Sequence, residues 1–456
     1  MSFDPHKPLY NAVSRYAESG PARFHMPGHK GALEPFDVTE LTGTDNLSCP
    51  RGAIAELEAL CAEAFRARNS IISVNGSTAC NIAMLLALGQ NKRVLTARNC
   101  HRSVVNGLAL AGHTAYLITP DENGMLSPED VSEALDKTPC DAVIMTSPTY
   151  RGYVCDVKGI AKAAHSHGAL LLVDCAHGAH FAFSDSLPEP PTDADMWCVS
   201  CHKTLNALNQ SAVLNIGFCC DIDKESVRRA MFTVHTTSPS YPLMLSIENA
   251  INHAEGWGGH CERIEGIIRR LNAIPSVHAE PPRGVYDRDI TRLNISVEGM
   301  TGCAVEEALV QRNVHPEMSD MRLVTLITSP NDRDEWYDML YAALEEIDVK
   351  ARNAASCEES LAPVGIKKGF SPAACPVRDA VFGPKRAAPL EESVGLVCAE
   401  AAGVYPPGSA ILFPGEAITR EAVGLFSQEL AASGGDTSFG LYDGKVMVRR
   451  EEGGEA

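Results

Sequence analysis

Ala169-Leu170-Leu171-Leu172-Val173-Asp174-Cys175-Ala176-His177-Gly178 is the stretch on which the fold reading turns. Five apolar residues without polar alternation fit a strand buried on both faces, and such strands belong to parallel sheets. The run ends on Asp174, whose carboxylate is costly in a buried setting unless a partner meets it. Open parallel sheets bind ligands beyond the carboxyl ends of their strands. Asp174 therefore marks a site as well as a strand end.

Outward from this stretch the pattern recurs. Residues 71–74, 93–96, 142–146 and 196–199 read as short strands. Helix signals lie between them. Ile54, Leu57, Leu60, Cys61, Ala64 and Phe65 stand at helical spacing. Ser127-Pro128-Glu129-Asp130 is a capping box with Pro at the first helical position. Asp156 can cap a helix that Gly168 ends. The reading is α/β: a large domain with a mainly parallel sheet flanked by helices, then smaller α+β domains. The expected division is an N-terminal arm and active-site segment at 1–45, a large domain at 46–255, a small α+β domain at 256–355, and a linker with a C-terminal domain at 356–456. Within the third unit, 292–297 reads as a strand and 336–347 as a helix. Pro281, Pro282 and Gly284, then Pro363, Gly369 and Pro376, punctuate the joins. Residues 451–456 are expected to fray.

Composition bounds the partners. The chain has 456 residues, 45% hydrophobic and 21% charged, enough to bury most of its apolar surface. Thirty-nine Lys and Arg against 58 Asp and Glu give a formal charge of −19. That argues against nucleic acid, which needs a basic face, and fits a neutral or cationic small molecule. No apolar run reaches the roughly 18 residues that span a bilayer, so no membrane partner is expected. The start, MSFDPHKPLYNAVSRY, carries no export signal, and 16 Cys fit a reducing cytoplasm.

Four polar clusters fall at strand ends. In Asn75-Gly76-Ser77-Thr78, a small residue lets backbone approach a phosphate at a helix amino terminus, and the hydroxyls add hydrogen bonds; a plain helix cap is the alternative. In Arg98-Asn99-Cys100-His101-Arg102-Ser103, His101 can stack on a flat heteroaromatic ring or simply cap a helix. Asp174 wants a cation such as a protonated ring nitrogen, unless it caps the next turn; His177 and His180 follow it with no third metal ligand evident, so no metal is expected. In Ser200-Cys201-His202-Lys203-Thr204, Lys203 can form a Schiff base if its surroundings lower its pKa, though most Lys are solvated surface charges. The spacing Cys198-Val199-Ser200-Cys201-His202 formally matches haem attachment. That chemistry belongs outside the cytoplasm, and the match is read as accidental. A phosphate cradle, a stacking His, an acid for a ring nitrogen and a Lys for an aldehyde together describe pyridoxal 5′-phosphate.

The chain resembles the Orn/Lys/Arg decarboxylase family of pyridoxal-phosphate enzymes, with the aspartate-aminotransferase (type I) fold. The resemblance rests on Phe24-His25-Met26-Pro27-Gly28-His29-Lys30-Gly31, the four clusters, Ser147-Pro148-Thr149-Tyr150, Thr237-Ser238-Pro239-Ser240-Tyr241, Pro316-Glu317-Met318, Glu400 with Tyr405-Pro406-Pro407-Gly408, and Pro414-Gly415-Glu416. It implies decarboxylation of lysine, arginine or ornithine to a diamine or agmatine, feeding polyamine metabolism. It implies that Lys203 holds the cofactor covalently, Asp174 pairs with its ring nitrogen and His101 stacks on it. Gly76, Ser77, Thr78, Ser200 and His202 would surround the phosphate, with His177 near the ring's phenolic oxygen. Lys203 or His202 would return the proton after CO₂ leaves. Thr237 and Ser238 would reach a cofactor across a subunit interface, making the active unit a homodimer or larger. His29, Glu40, Asp45 and Glu317 are the substrate candidates, His29 from a segment that can come from the partner chain.

Two positions depart from the family pattern, which usually has Glu at Cys175 and Thr at Asn209. The first removes a charge beside the cofactor site. It leaves a pyridoxal-phosphate aminotransferase or other lyase as the second reading. A non-catalytic regulatory paralogue is the third, and joint retention of Lys203 and Asp174 speaks against it.

Overall fold

Side chains alternate along each central strand, and the alternation builds two cores rather than one. Val143, Met145, Leu171, Val173, Trp197 and Val199 pack on one side of the sheet. Ile144, Leu172, Met196 and Cys198 pack on the other. Both faces are apolar because both are covered by helices, as a parallel sheet requires. The computed structural model describes residues 4–279, 285–353, 369–404, 409–432 and 438–450. Pro281, Pro282, Gly284, Pro363, Tyr405 to Gly408 and the 451–456 tail lie outside the described residues.

The main sheet has eight strands, in the order Asn69–Ser73, Ala212–Ile216, Met196–Ser200, Leu170–Asp174, Ala142–Thr146, Arg93–Ala97, Thr114–Thr119 and Gly369–Pro372. The five from Met196–Ser200 to Thr114–Thr119 run parallel. Ala212–Ile216 is antiparallel to both of its neighbours, and Gly369–Pro372 is antiparallel to Thr114–Thr119. The fold is thus α/β with a mainly parallel sheet flanked by helices. The capping box forms as read: Ser127 Oγ accepts from Asp130 N, and Asp130 accepts from Ser127 N. Asp156 caps the Val157–Ser166 helix, and Gly168 follows that helix at φ +70°.

A smaller four-stranded antiparallel sheet carries Arg292–Val297 between Val277–His278 and Val324–Ile327, with Met318–Ser319 at the edge. The Gly302–Val310 and Asp334–Asn353 helices pack with it around Ile264, Leu293, Ile295, Leu309 and Leu344. A further core gathers Leu412, Phe426, Val446 and Val448 near the C-terminus.

This last region is tied to the main sheet by charge. Arg98, just past the Arg93–Ala97 strand, donates from Nη1 to Glu416 Oε2 at 2.8 Å and from Nη2 to Glu416 Oε1. Both side chains are nearly buried. Removing one partner of such a pair strands the other charge and costs about 3–5 kcal/mol. Glu416→Ala is therefore expected to lower the thermal midpoint by several degrees. An unchanged melting curve would show that the pair is dispensable.

Candidate active site

The carboxyl ends of the parallel strands open into a cavity of about 1140 Å³. Each strand end delivers a group to it. The Asn69–Ser73 strand leads into Asn75 and the Gly76–Ala87 helix. Gly76 sits at φ +69°, a conformation that favours glycine. A Cβ there would stand in open space, and the Asn75 side chain makes no capping bond to the helix. The Gly76 N–H is taken by the Gln210 carbonyl at 2.8 Å, while Ser77 and Thr78, whose N–H groups have no partner within the helix, line the cavity with their hydroxyls. Ser200 is fully buried and donates to Ser77 Oγ at 2.9 Å, so it orients Ser77 from below.

Asp174 is buried and fixed at both oxygens. Oδ2 accepts from Asn81 Nδ2 at 2.7 Å, and Oδ1 accepts from Ala176 N at 3.1 Å. Asn81 also donates to Ser103 Oγ at 3.0 Å. Ser103 Oγ lies 2.8 Å from His101 Nδ1, which accepts from Ser103 N. One network therefore sets both the acid and the imidazole. His101 caps the Arg102–Ala111 helix, the bland role, while its ring also lines the cavity. Burial holds its pKa below the usual range.

Lys203 lies on the short Cys201–Thr204 helix after the Met196–Ser200 strand. Its Nζ is 3.0 Å from His177 Nε2. Burial lowers its pKa, against the upward pull of Asp174. Burial, then the charges of Lys203 and Arg292, push His177 well below its ordinary range. His202 Nδ1 donates to the Ser211 carbonyl at 3.0 Å, which fixes its tautomer when neutral. The Tyr150 ring lies 4.5 Å from the His177 ring, and Tyr150 Oη donates to Glu317.

The cavity brings together Gly76, Ser77, Thr78, His101, Asp174, His177, His202, Lys203 and Glu317. It does not include His29, Glu40, Asp45, Thr237 or Ser238, and Ser200 does not line it either, lying fully buried behind Ser77. His29 pairs with Asp37 at 3.0 Å, and Glu40 accepts from Thr39 at 2.7 Å. Asp45 accepts from the backbone of Gly52 at 2.8 Å and Ile54 at 3.0 Å, where it holds the start of the Ala53–Ala64 helix. Burial works against the Asp45 charge, but these N–H bonds prevail and keep its pKa low. Thr237 and Ser238 are exposed. Their neighbour Thr236 donates to Asn75 Oδ1 at 3.0 Å, which ties that segment to the Gly76 turn.

Cys198 and Cys201, of the haem-like spacing, are both buried, and Cys198 Sγ bonds Asn81 Oδ1 at 3.3 Å. His180 pairs with Asp289 at 3.0 Å in the fully buried interior. Cys175 is buried, and a Cβ added at Gly178 would come within 2.5 Å of its Sγ.

Asn81 and Arg292 belong to the site but not to the motifs, while Ser103 lies inside the His101 cluster without a role assigned to it there. Asn81 left a trace in the sequence, as a lone amide in the apolar helix pattern Ala79-Cys80-Asn81-Ile82-Ala83-Met84. A buried amide needs partners.

The donor set fits pyridoxal phosphate. A carboxylate has about four lone-pair positions, so Asp174 keeps room for a ring N–H. The Gly76 turn gives a phosphate unobstructed backbone.

Residues 7–276 match the family model described as "Orn/Lys/Arg decarboxylase, major domain". The arginine decarboxylase of Halalkalibacterium halodurans is 32% identical, with 92% of each chain covered. That of Bacillus subtilis is 31% identical over 93% of this chain and 94% of its own. Among solved structures, the constitutive lysine decarboxylase of E. coli superposes with a TM-score of 0.79 at 19% identity, covering 97% of this chain and 82% of its own. At that identity the likeness speaks for the fold alone. No helix among the described residues is long and apolar enough to cross a membrane.

Proposed function

The chain belongs to the Orn/Lys/Arg decarboxylase family, and on that premise we propose that it removes the α-carboxylate of a basic amino acid with pyridoxal phosphate. Arginine is the first candidate, since the two relatives above, which match nearly end to end, are named arginine decarboxylases. The product would then be agmatine, or a diamine from lysine or ornithine, for polyamine metabolism. One observation carries the substrate class. The cavity wall holds the carboxylates of Asp121, Glu122, Asp174, Glu317, Asp320 and Glu429 against one permanent cation, Arg151. Such a wall favours a cationic side chain and disfavours an acidic one.

Bound in this cavity, the cofactor supplies an electron sink for the pair left when CO₂ departs. The protein's part follows from its geometry. The lowered pKa of Lys203 enlarges the free-amine fraction that can meet the aldehyde. Asp174, fixed by Asn81 and Ala176, holds a proton on the ring nitrogen. The Gly76 turn with Ser77 and Thr78 takes the phosphate, and His101 offers a flat face to the ring. Lys203 or His202 would return the proton. Glu317, with its Tyr150 hydrogen bond, is the acid we assign to the distal cation. Thr237 and Ser238 are assigned to a cofactor of a partner subunit, in a homodimer or larger assembly acting in the cytoplasm.

The direct test is CO₂ release from arginine, lysine and ornithine, scored against keto-acid formation. Release from one of the three without keto acid is expected; dominant transamination would overturn the reading. Glu317→Gln is expected to raise KM for the basic substrate about tenfold, the loss of about 1.4 kcal/mol of charge-assisted bonding. The kcat should change less. An unchanged KM would remove Glu317 from substrate binding.

A further inference from the structure

Arg292 begins a strand of the smaller sheet, yet its guanidinium reaches His177 on the main sheet's ligand side. Nη2 lies 3.3 Å from His177 Nδ1 and 3.4 Å from the His177 carbonyl oxygen. A guanidinium only donates, so Nδ1 must accept with its lone pair. The proton of a neutral His177 is then forced onto Nε2, which faces Lys203 Nζ at 3.0 Å. With Nε2–H donating along that contact, Nζ must accept. Only the uncharged amine has a lone pair to do so.

We propose that Arg292 is a positioning residue that fixes the His177 tautomer and thereby holds Lys203 as the free amine. The inference rests on the reading of Lys203 as the cofactor-bearing residue.

The local packing is arranged around this guanidinium. Arg292 is buried. Gly152, at φ +83°, lies over it, and a Cβ there would come within 2.5 Å of Arg292 Cγ. Asp289 Oδ2 is 3.9 Å from Nε and shares its charge with His180 at 3.0 Å. The other groups around the Lys203–His177 contact are Asp174 at the end of the Leu170–Asp174 strand, His101 before the Arg102–Ala111 helix, Tyr150, and Glu317 beside the Met318–Ser319 strand. Burial and the Arg292 charge hold the Lys203 pKa down, while Asp174, Cys198 and Glu317 favour the ammonium form. Removing the Arg292 charge thus raises the Lys203 pKa, so the free amine appears only at higher pH.

The test uses the full chain stripped of cofactor. Pyridoxal 5′-phosphate is added across a pH series, and condensation is followed by absorbance: the Nζ lone pair attacks the aldehyde carbon and one water leaves. In Arg292→Met the midpoint is expected to rise by about one pH unit, a tenfold smaller free-amine fraction at a given pH. Arg292→Lys, which keeps a charged donor, should keep the wild-type midpoint. Melting curves check that both variants fold. Nitrogen resonances of labelled wild-type His177, assigned through His177→Gln, should show Nε2 protonated and Nδ1 bare. A folded Arg292→Met with the wild-type midpoint, or a proton on Nδ1 in the wild type, overturns the proposal. Absence of condensation in the wild type at any pH instead overturns the cofactor reading on which it rests.

Discussion

Lys203→Ala is expected to abolish turnover of every basic amino acid, with a loss of about 10⁴-fold or more, since in the proposed mechanism this amine is the nucleophile and, with His202, one of two candidate proton donors. The change is structurally mild. Lys203 is only partly buried, and its neighbours Cys201 and Thr204 carry the packing of that short helix. The variant should therefore fold and melt like the wild type, which separates lost chemistry from lost structure. Borohydride treatment of the loaded wild type, followed by peptide mass analysis, should place the cofactor on the peptide containing residue 203. The Ala variant should carry none. Activity within about tenfold of the wild type in Lys203→Ala would remove the covalent role. A wild type that never carries the mass would favour the regulatory paralogue.

The sheet was legible where strands are buried on both faces. The runs ending at Thr146, Asp174 and Ser200 needed no knowledge of neighbours, because continuous apolar stretches between helix caps have few other uses. The strands at Ala212–Ile216 and Gly369–Pro372 escape the sequence reading, as does Thr114–Thr119. The first is antiparallel within an otherwise parallel pattern, and the second is four residues joining the sheet from more than 200 residues downstream of its neighbour. No local pattern specifies such pairings.

The site divides the same way. Asp174, His177 and Lys203 follow strand ends, so the topology that makes the sheet also gathers them. Asp45 illustrates the opposite case. A carboxylate in a loop ahead of a helix has two common uses, substrate binding and capping, and only the backbone positions of Gly52 and Ile54 decide for the second. Arg292 gave no signal at all, because its contact with His177 spans 115 residues and two sheets.

Asp174→Asn carries the second-largest expected effect, and the hydrogen-bond network says why it should be large without being total. An opposite charge beside a titrating group shifts its pKa by about 1–3 units, so removing the carboxylate charge weakens protonation of the ring nitrogen by about 10- to 10³-fold. The expected fall in kcat is of that order, near its upper end, because Asp174 is only 4% exposed and solvent screens it little. The amide is nearly the same size, so the packing against Asn81 and Cys198 survives. Lys203 is untouched, and borohydride should still fix the cofactor at residue 203. Asn81→Ala separates charge from orientation. It leaves the carboxylate but removes the 2.7 Å donor to Oδ2 and the link through Ser103 to His101. A loss of about tenfold is expected there, clearly smaller than for Asp174→Asn. If Asp174→Asn retained full kcat, the ring-nitrogen role would belong to another residue. If Asn81→Ala matched it in severity, orientation rather than charge would be what Asp174 contributes.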